Sequence, residues 1–375
     1  MKKFICFLFI VSTFACYALA TSISPELSAP SAILIEKETG KILYEKESHK
    51  LLPPASVTKV MTLLLVLESI ESGKISFDDI ITVSEYASGM GGSQVFLSPG
   101  EQMSVHDLLK ATVVSSGNDS AVALAEHIAG SELAFVEMMN QKAHDLGMTD
   151  TEFKNCTGLD TEGHITSAND ISIMSRELIK HDKIKEYTKI WMDSIRNGKF
   201  QLANTNKLIR TYKGITGLKT GSTSIAKFCL SATAERDGME LIAVVMAAPT
   251  GKDRFSDAAK LLDAGFANYA LYNGVHDTEL PHVNVILGKS NELALDYGLT
   301  PKILMEKDQI QKITSELSLP EDIKAPVEQG QKVGTLKFFC DKKIISEIPI
   351  IAAESVKRLS LSEIFSKLFS ICVMK

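Results

Sequence analysis

The chain has 375 residues, 45% of them hydrophobic and 23% charged, and a net charge of −6. That balance is ordinary for a soluble globular protein, and the length is ample for two domains with a large core. The acidic excess argues against nucleic acid as a partner.

In chain order, the first twenty residues read as a signal peptide rather than fold. Met1-Lys2-Lys3 is a positive n-region, Phe4 to Phe14 an apolar h-region, and Ala18-Leu19-Ala20 a small-residue cleavage site. The apolar run is too short for a membrane span. Cys16 raises a lipoprotein reading, but Thr13-Phe14-Ala15 lacks the usual small and aliphatic pattern before it. The mature chain is therefore expected to be exported. Its net charge becomes −8 once Lys2 and Lys3 are gone, since residues 1–20 hold no acid. Its four cysteines (Cys156, Cys229, Cys340 and Cys372) are scattered without CxxC or metal-like spacing, so free buried thiols are expected.

Ser31 to Ile35 and Ile42 to Tyr44 read as strands joined by a hairpin turn at Glu38-Thr39-Gly40-Lys41. Pro53-Pro54 stops regular structure, and the apolar run Leu63 to Leu67 follows. A loop feeding a buried helix is expected there, with Ser56 and Lys59 in its first turn and an end near Gly73. Asp78 to Ser84 reads as a short strand, Gly89 to Ser93 as a flexible loop and Pro99-Gly100 as a turn. Ser104 caps a helix, with Asp107 placed as in a capping box. Ser115 to Asp119 interrupts it, and helix resumes at Ala121 until Gly130. Further helices are expected from Glu132 to Leu146 and, capped by Asn169-Asp170, to Lys180. The block from about 104 to 190 reads as almost wholly helical.

Phe228 to Ala234 and Met239 to Ala247 are strand-like, joined by a tight hairpin at Arg236-Asp237-Gly238, and a final helix starts at Asp253. Strands from both ends of this region bracket a helical insertion. The fold class is therefore α+β: an antiparallel sheet flanked by helices with an all-helical insertion. After about residue 275, Val283 to Val285, Val333 to Phe339 and Ile344 to Ile351 suggest a small, mostly β domain. Leu361, Ile364, Phe365, Leu368, Phe369 and Cys372 then recur at helical spacing. Lys357, Arg358, Lys367 and Lys375 outweigh Glu363 there, which favours a basic amphipathic helix lying on an anionic membrane. The expected organisation is a signal peptide at 1–20, a catalytic domain at 21–274, a β-rich domain at 275–353 and an anchor helix at 354–375.

Three short motifs carry chemistry. Ser-x-x-Lys alone is weak and occurs twice, at Ser56–Lys59 and Ser224–Lys227. Ser-x-Asn also occurs twice, at Ser116–Asn118 and Ser167–Asn169, and Lys-Thr-Gly once, at Lys219-Thr220-Gly221. Each has a bland reading as helix cap, helix break or surface turn. The ordered set, each member in the right kind of element, is the specific signal. Ser56 is inert as an alcohol and needs a base. Lys59 can serve only if its pKa falls, through desolvation, the positive end of its own helix and a second cation at Lys219. Ser116 can relay protons, and Asn118 can hold Lys59 and a substrate amide. Lys219 and Thr220 sit on a strand edge where an extended peptide could add, with Gly221 clearing the approach. Backbone N–H groups of Ser56 and Ser222 would form an oxyanion hole.

With these motifs the chain resembles the low-molecular-mass penicillin-binding proteins, the serine D-alanyl-D-alanine carboxypeptidases of peptidase S11 type. The matching residues are Pro54-Ala55-Ser56-x-x-Lys59, Ser116-Gly117-Asn118-Asp119 and Gly217-Leu218-Lys219-Thr220-Gly221, and the likeness spans essentially the whole chain. It implies a β-lactamase/transpeptidase-like fold and an acyl-enzyme on Ser56. The substrates implied are peptidoglycan stem peptides ending in D-Ala-D-Ala, the inhibitors β-lactams, and no cofactor or metal is called for. It also implies that Arg254 helps bind the substrate's terminal carboxylate, with Lys252 a rival cation beside it. The family often has His after Lys-Thr-Gly where this chain has Ser222, a departure that touches substrate preference or pH dependence. The expected location is the outer face of the cytoplasmic membrane, with some protein secreted.

Two other readings stay in view. A β-lactamase shares motifs and fold, but the β domain, the basic tail and the lack of a Glu-bearing deacylation motif beyond scattered acids such as Glu152 and Glu162 count against it. A catalytically silent peptidoglycan-binding protein is opposed by the intact trio. Asn118-Asp119-Ser120 and Asn155-Cys156-Thr157 match the glycosylation pattern by coincidence, and the histidines show no metal-ligand spacing.

Overall fold

A computed structural model of the protein describes residues 25–274, 280–299 and 302–373, so the expected signal peptide lies outside the described residues. Strands β1 (Ser31–Glu36) and β2 (Ile42–Lys46) form the expected hairpin, with Gly40 at φ 69° in its turn. Helix α1 (Lys59–Glu71) follows, ending at Ser72 just before Gly73. Ten of its thirteen residues are buried on all sides, which is why its sequence shows a continuous apolar run instead of a stripe.

Helix α2 (Val105–Val114) is capped by Ser104, whose side chain accepts from the Asp107 N–H. Helix α3 (Asn118–Ala129) starts three residues earlier than its apolar pattern suggests, because the polar residues Asn118 to Ser120 occupy its first turn. Helix α4 (Glu132–Asp145) stops just before Gly147 at φ 73°. The cap of α5 (Ala168–Leu178) is Ser167, not Asn169-Asp170: the Ser167 side chain accepts from the Asp170 N–H, so the acid sits inside the first turn.

The block from 104 to 190 is not wholly helical. Residues 148–166 form a long irregular loop, tied down by isolated bridges from Glu152 to Ile165 and from Leu52 to Thr166. Beyond α5 a small hairpin of Met192–Ile195 and Phe200–Ala203, with no clear alternation in its sequence, was absent from the expected elements.

Strands β3 (Ile215–Thr223), β4 (Lys227–Arg236) and β5 (Met239–Ala248) complete one antiparallel sheet in the order β2-β1-β5-β4-β3. Early and late segments thus close one sheet, and β3 is left at its edge. Asp237 and Gly238, both at positive φ, make the β4–β5 turn. One core lies between this sheet and the helical insertion, and a second lies under helix α6 (Gly251–Asn268) on the other face, around Leu34, Leu241, Leu261 and Phe266. The hydroxyl of Thr250 caps α6.

The C-terminal region is β-rich, as expected. Its largest sheet orders Leu295–Tyr297, Lys343–Ala352, Lys332–Cys340 and Ile313–Ser318 around Phe338 and Ile350. Helix α7 (Leu361–Val373) follows, and its Leu361, Phe365 and Phe369 are 82%, 76% and 72% exposed. Among the described residues no helix is long and apolar enough to cross a membrane. Cys156, Cys229 and Cys340 are free and buried, while the Cys372 side chain lies outside the described residues.

Candidate active site

The first motif sits one step outside the α-helix expected of it. Ala55–Thr58 is a 3₁₀ turn, and α1 begins only at Lys59. The tighter turn eclipses side chains three apart, so it stacks Ser56 against Lys59 more directly than an α-turn would. Ser56 is half-buried and Lys59 fully buried. Ala55, immediately before the serine, is at φ 50°, a left-handed conformation that costs a non-glycine residue about 1–2 kcal/mol.

The Lys59 Nζ lies 3.2 Å from Ser56 Oγ, 2.6 Å from Asn118 Oδ1 and 2.7 Å from Thr157 O. Two of these partners can only accept. The third is a hydroxyl, which can also donate. A neutral amine has two N–H groups and one lone pair, so this set fits a neutral Lys59 that receives the serine proton. Burial pushes its pKa down to about 7, against smaller opposing effects from Cys156 and Asp119.

Ser116 and Asn118 lie at the break between α2 and α3, where Ser116 takes φ 61°. Asn118 is fixed at both ends of its amide. Its Oδ1 faces Lys59, and its Nδ2 donates to Gly91 O at 2.6 Å, so one of its two N–H groups is already spent. Asp119, to which the sequence assigns no role, accepts from the N–H groups of Val95, Leu97 and Ser120 and pins the 92–97 loop to the start of α3.

The Lys219 Nζ donates to Ser116 Oγ at 2.8 Å and to Thr220 O at 2.9 Å. The second and third motifs are therefore joined directly. The pKa of Lys219 is pushed well down by burial first, then by the charges of Lys59 and Arg254. The second-cation effect expected at Lys59 is thus felt at Lys219. The Thr220 hydroxyl donates to Thr205 Oγ1 at 2.6 Å.

Gly221 serves a different neighbour from the one expected. A Cβ there would meet Ser56 N and Val57 N at 2.8 Å and Pro54 O at 2.9 Å, so the glycine lets β3 close against the backbone of Ser56 itself. Gly158, which no sequence motif marks, closes the other side: at φ 86°, a Cβ there would fall 1.8 Å from Ala55 O. Ser222 is exposed at the edge next to Gly221. Arg254 donates from NH1 to Gly221 O at 2.9 Å and Cys229 O at 3.4 Å, and its guanidinium lies near the Phe228 and Phe255 rings. Among the described residues its buried Nε has no hydrogen-bond partner. Lys252, the rival cation, is exposed.

Of the decoy pair, Ser224 lies in the β3–β4 turn and Lys227 opens β4, so neither stands at a helix start. Neither glycosylation-like asparagine is a free surface group. Asn118 is buried, and Asn155 Oδ1 accepts from the N–H of Gly158 at 2.7 Å. His164 is buried between Thr58 Oγ1 and the Lys154 N–H. Nδ1 accepts from the backbone, so the proton is on Nε2. Among the described residues no group of three or more His, Cys, Asp or Glu is placed to hold a metal ion.

Comparison with known proteins adds independent findings. The family described as D-alanyl-D-alanine carboxypeptidase matches residues 18–250, and the penicillin-binding protein 5 C-terminal domain matches residues 275–358. D-alanyl-D-alanine carboxypeptidase DacF of Bacillus subtilis is 44% identical over 88% of this chain and 86% of its own. DacC of Escherichia coli is 33% identical over 98% of this chain and 94% of its own. Penicillin-binding protein 5 of Haemophilus influenzae superposes with a TM-score of 0.72 at 31% identity, covering 89% of this chain and 99% of that one. Penicillin-binding protein D2 of Listeria monocytogenes, in an ampicillin-bound form, gives 0.57 at 35% identity over 64% of this chain and 100% of that one.

Proposed function

From the premise that this chain belongs to the S11 family of D-alanyl-D-alanine carboxypeptidases, serine hydrolases and penicillin-binding proteins, we propose the following roles for its residues. Neutral Lys59 takes the proton of Ser56, whose Oγ attacks the carbonyl of the penultimate D-Ala in a peptidoglycan stem peptide. The negative oxygen formed is held by the N–H groups of Ser56 and Ser222. Ser116, held by its hydrogen bond from Lys219, gives its proton to the departing D-Ala amine and takes in its place the one Lys59 received, so that Lys59 is neutral again. Water then hydrolyses the ester with Lys59 again as base.

The peptide adds along the outer edge of β3 at Lys219-Thr220-Gly221. Lys219 takes the terminal carboxylate, which restores its proton, and Arg254 of α6, bonded to Gly221 O of that strand, adds a second charge. Asn118 holds Lys59 and turns its remaining N–H to the substrate amide. β-Lactams acylate Ser56 in the same way and stall there, a reading supported by the ampicillin-bound form of the Listeria relative. The enzyme is exported behind residues 1–20 and rests on the outer face of the cytoplasmic membrane through the apolar stripe of α7, part of it being secreted.

The observation that carries this reading is the Lys59 environment, two obligate acceptors and one serine hydroxyl around a fully buried amine. Fluorescent penicillin tests it. Wild-type protein takes a covalent label and releases D-Ala from a stem-peptide mimic, and Ser56→Ala does neither. A label that survives in Ser56→Ala refutes the assignment.

A further inference from the structure

Asn118 leans on a segment with no regular structure. Its N–H donates to Ser93 O at 2.7 Å and its amide to Gly91 O at 2.6 Å. Two groups of opposite charge grip the middle of that segment. From the α3 side, the fully buried Asp119 accepts from the N–H groups of Val95 and Leu97 at 3.0 Å each. From the other side, the Arg196 guanidinium donates from NH1 to Val95 O at 2.8 Å and from NH2 to Phe96 O at 3.0 Å. Its Nε and NH2 also take both oxygens of Glu101, at 2.6 and 3.0 Å, where the segment ends.

Arg196 reaches this segment from a fixed base, the hairpin of Met192–Ile195 and Phe200–Ala203. Lys110 of α2 fastens that hairpin, donating to Ser194 O at 3.2 Å and pairing with Asp193 at 3.1 Å. Arg196 and Phe96 both sit at φ 55°, a conformation that residues other than glycine keep only where their surroundings impose it. All four guanidinium bonds are thus spent on a turn that is not itself catalytic. The turn's other face rests on Asp119, the residue next to Asn118, and Asn118 Oδ1 accepts from Lys59 at 2.6 Å. An unbroken path of hydrogen bonds and one peptide link runs from Arg196 to the base.

We propose that Arg196 is a positioning residue for acylation: by clamping Val95 to Leu97 onto Asp119 it seats Asn118 on Lys59 and keeps water from the buried amine. The inference rests on the reading of Lys59 as the base. Without the guanidinium, the Val95 and Phe96 carbonyls turn to water, the segment lifts, and Asn118 loses Gly91 O and Ser93 O. Water then reaches Lys59. Burial is what holds its pKa near 7, so the pKa climbs back toward 10.5. The titratable groups acting on Lys59 and coupled to it are Cys156, Asp119 and Lys219, and all three stay in place.

The test follows acylation by fluorescent penicillin against pH in the wild type, Arg196→Ala and Arg196→Lys. Lysine keeps the charge and a contact with Glu101 but lacks the planar fork that holds two carbonyls as well. In Arg196→Ala the high-pH plateau is expected to fall between about tenfold and a hundredfold, the loss a small misplacement brings. Its inflection is expected to move up by about one unit. Arg196→Lys should move both in the same direction by less. A residue that only stabilises the fold would lower the urea midpoint and leave the inflection where it was. An unmoved inflection therefore overturns the proposal, even if the rate falls, and so does a plateau within about twofold of wild type. Should Arg196→Ala fail to fold, Arg196→Lys is judged by the same two criteria. If the wild type itself shows no label, or no inflection near pH 7, the base reading fails and the positioning role with it.

Discussion

The Lys59 pKa makes a quantitative claim about pH. An exposed lysine titrates at 10.5, and burial brings this one to about 7. That shift of roughly 3.5 units corresponds to about 5 kcal/mol at 1.36 kcal/mol per unit. At neutral pH about half of the enzyme then holds the amine as a base, where an unshifted lysine would leave roughly one molecule in 3,000. The rate of Ser56 acylation by fluorescent penicillin, followed between about pH 5 and pH 9, should fall close to tenfold per unit below the inflection and level off above it. Because Lys59 and Lys219 are both buried and Lys59 acts on Lys219, the inflection near pH 7 belongs to the pair. Lys59→Arg keeps the charge but cannot give up its proton, and should lose about 10²–10⁴-fold. A flat profile, an inflection near pH 10, or an arginine variant with more than a tenth of wild-type acylation would refute the argument.

Gly158→Ala places a Cβ 1.8 Å from Ala55 O at a backbone φ of 86°, so acylation should collapse while the protein loses about 2–4 kcal/mol from crowding and strain combined; urea unfolding and penicillin labelling measure the two, and unchanged acylation would contradict the packing. His164 has its pKa lowered from 6.5 to about 4 by burial. The unfolded chain binds the extra proton between those values, so this contribution, about 3 kcal/mol, is complete above pH 6.5 and is lost as pH falls through 4. Urea midpoints from pH 7 to pH 4 should drop, and less steeply in His164→Gln; equal slopes would remove His164 from the account. Deleting residues 361–375 should release active protein from membranes, and undiminished membrane recovery would refute an anchoring role for α7.

What was legible in the sequence is what local chemistry decides. The Ser104 cap, the Arg236-Asp237-Gly238 turn and the apolar run of α1 each follow from a few neighbouring side chains. The three motifs were legible through their order. The 148–166 loop was not, because no repeating pattern marks it and its bonds are long-range: Thr157 O reaches Lys59, and Cys156 O reaches Thr62. Glycine was visible at 158 and at 221, but only the folded chain says which backbone each one lies against. The cap of α5 was misplaced by two residues because Ser167-Ala168-Asn169-Asp170 offers three competing polar groups, and the one whose oxygen reaches back to the third N–H is the serine.

Gly158 and Gly221 press on the Ala55–Ser56 backbone from two distant points of the sequence, about a hundred and about 165 residues downstream of the serine. A fragment that stops before residue 221 should not hold Ser56 in place, whatever helices it has formed. Competence to be acylated should therefore appear only when the last strands of the sheet have docked. Covalent penicillin capture would then serve as a clock for completed assembly, which circular dichroism, sensitive to the early helices, would run ahead of.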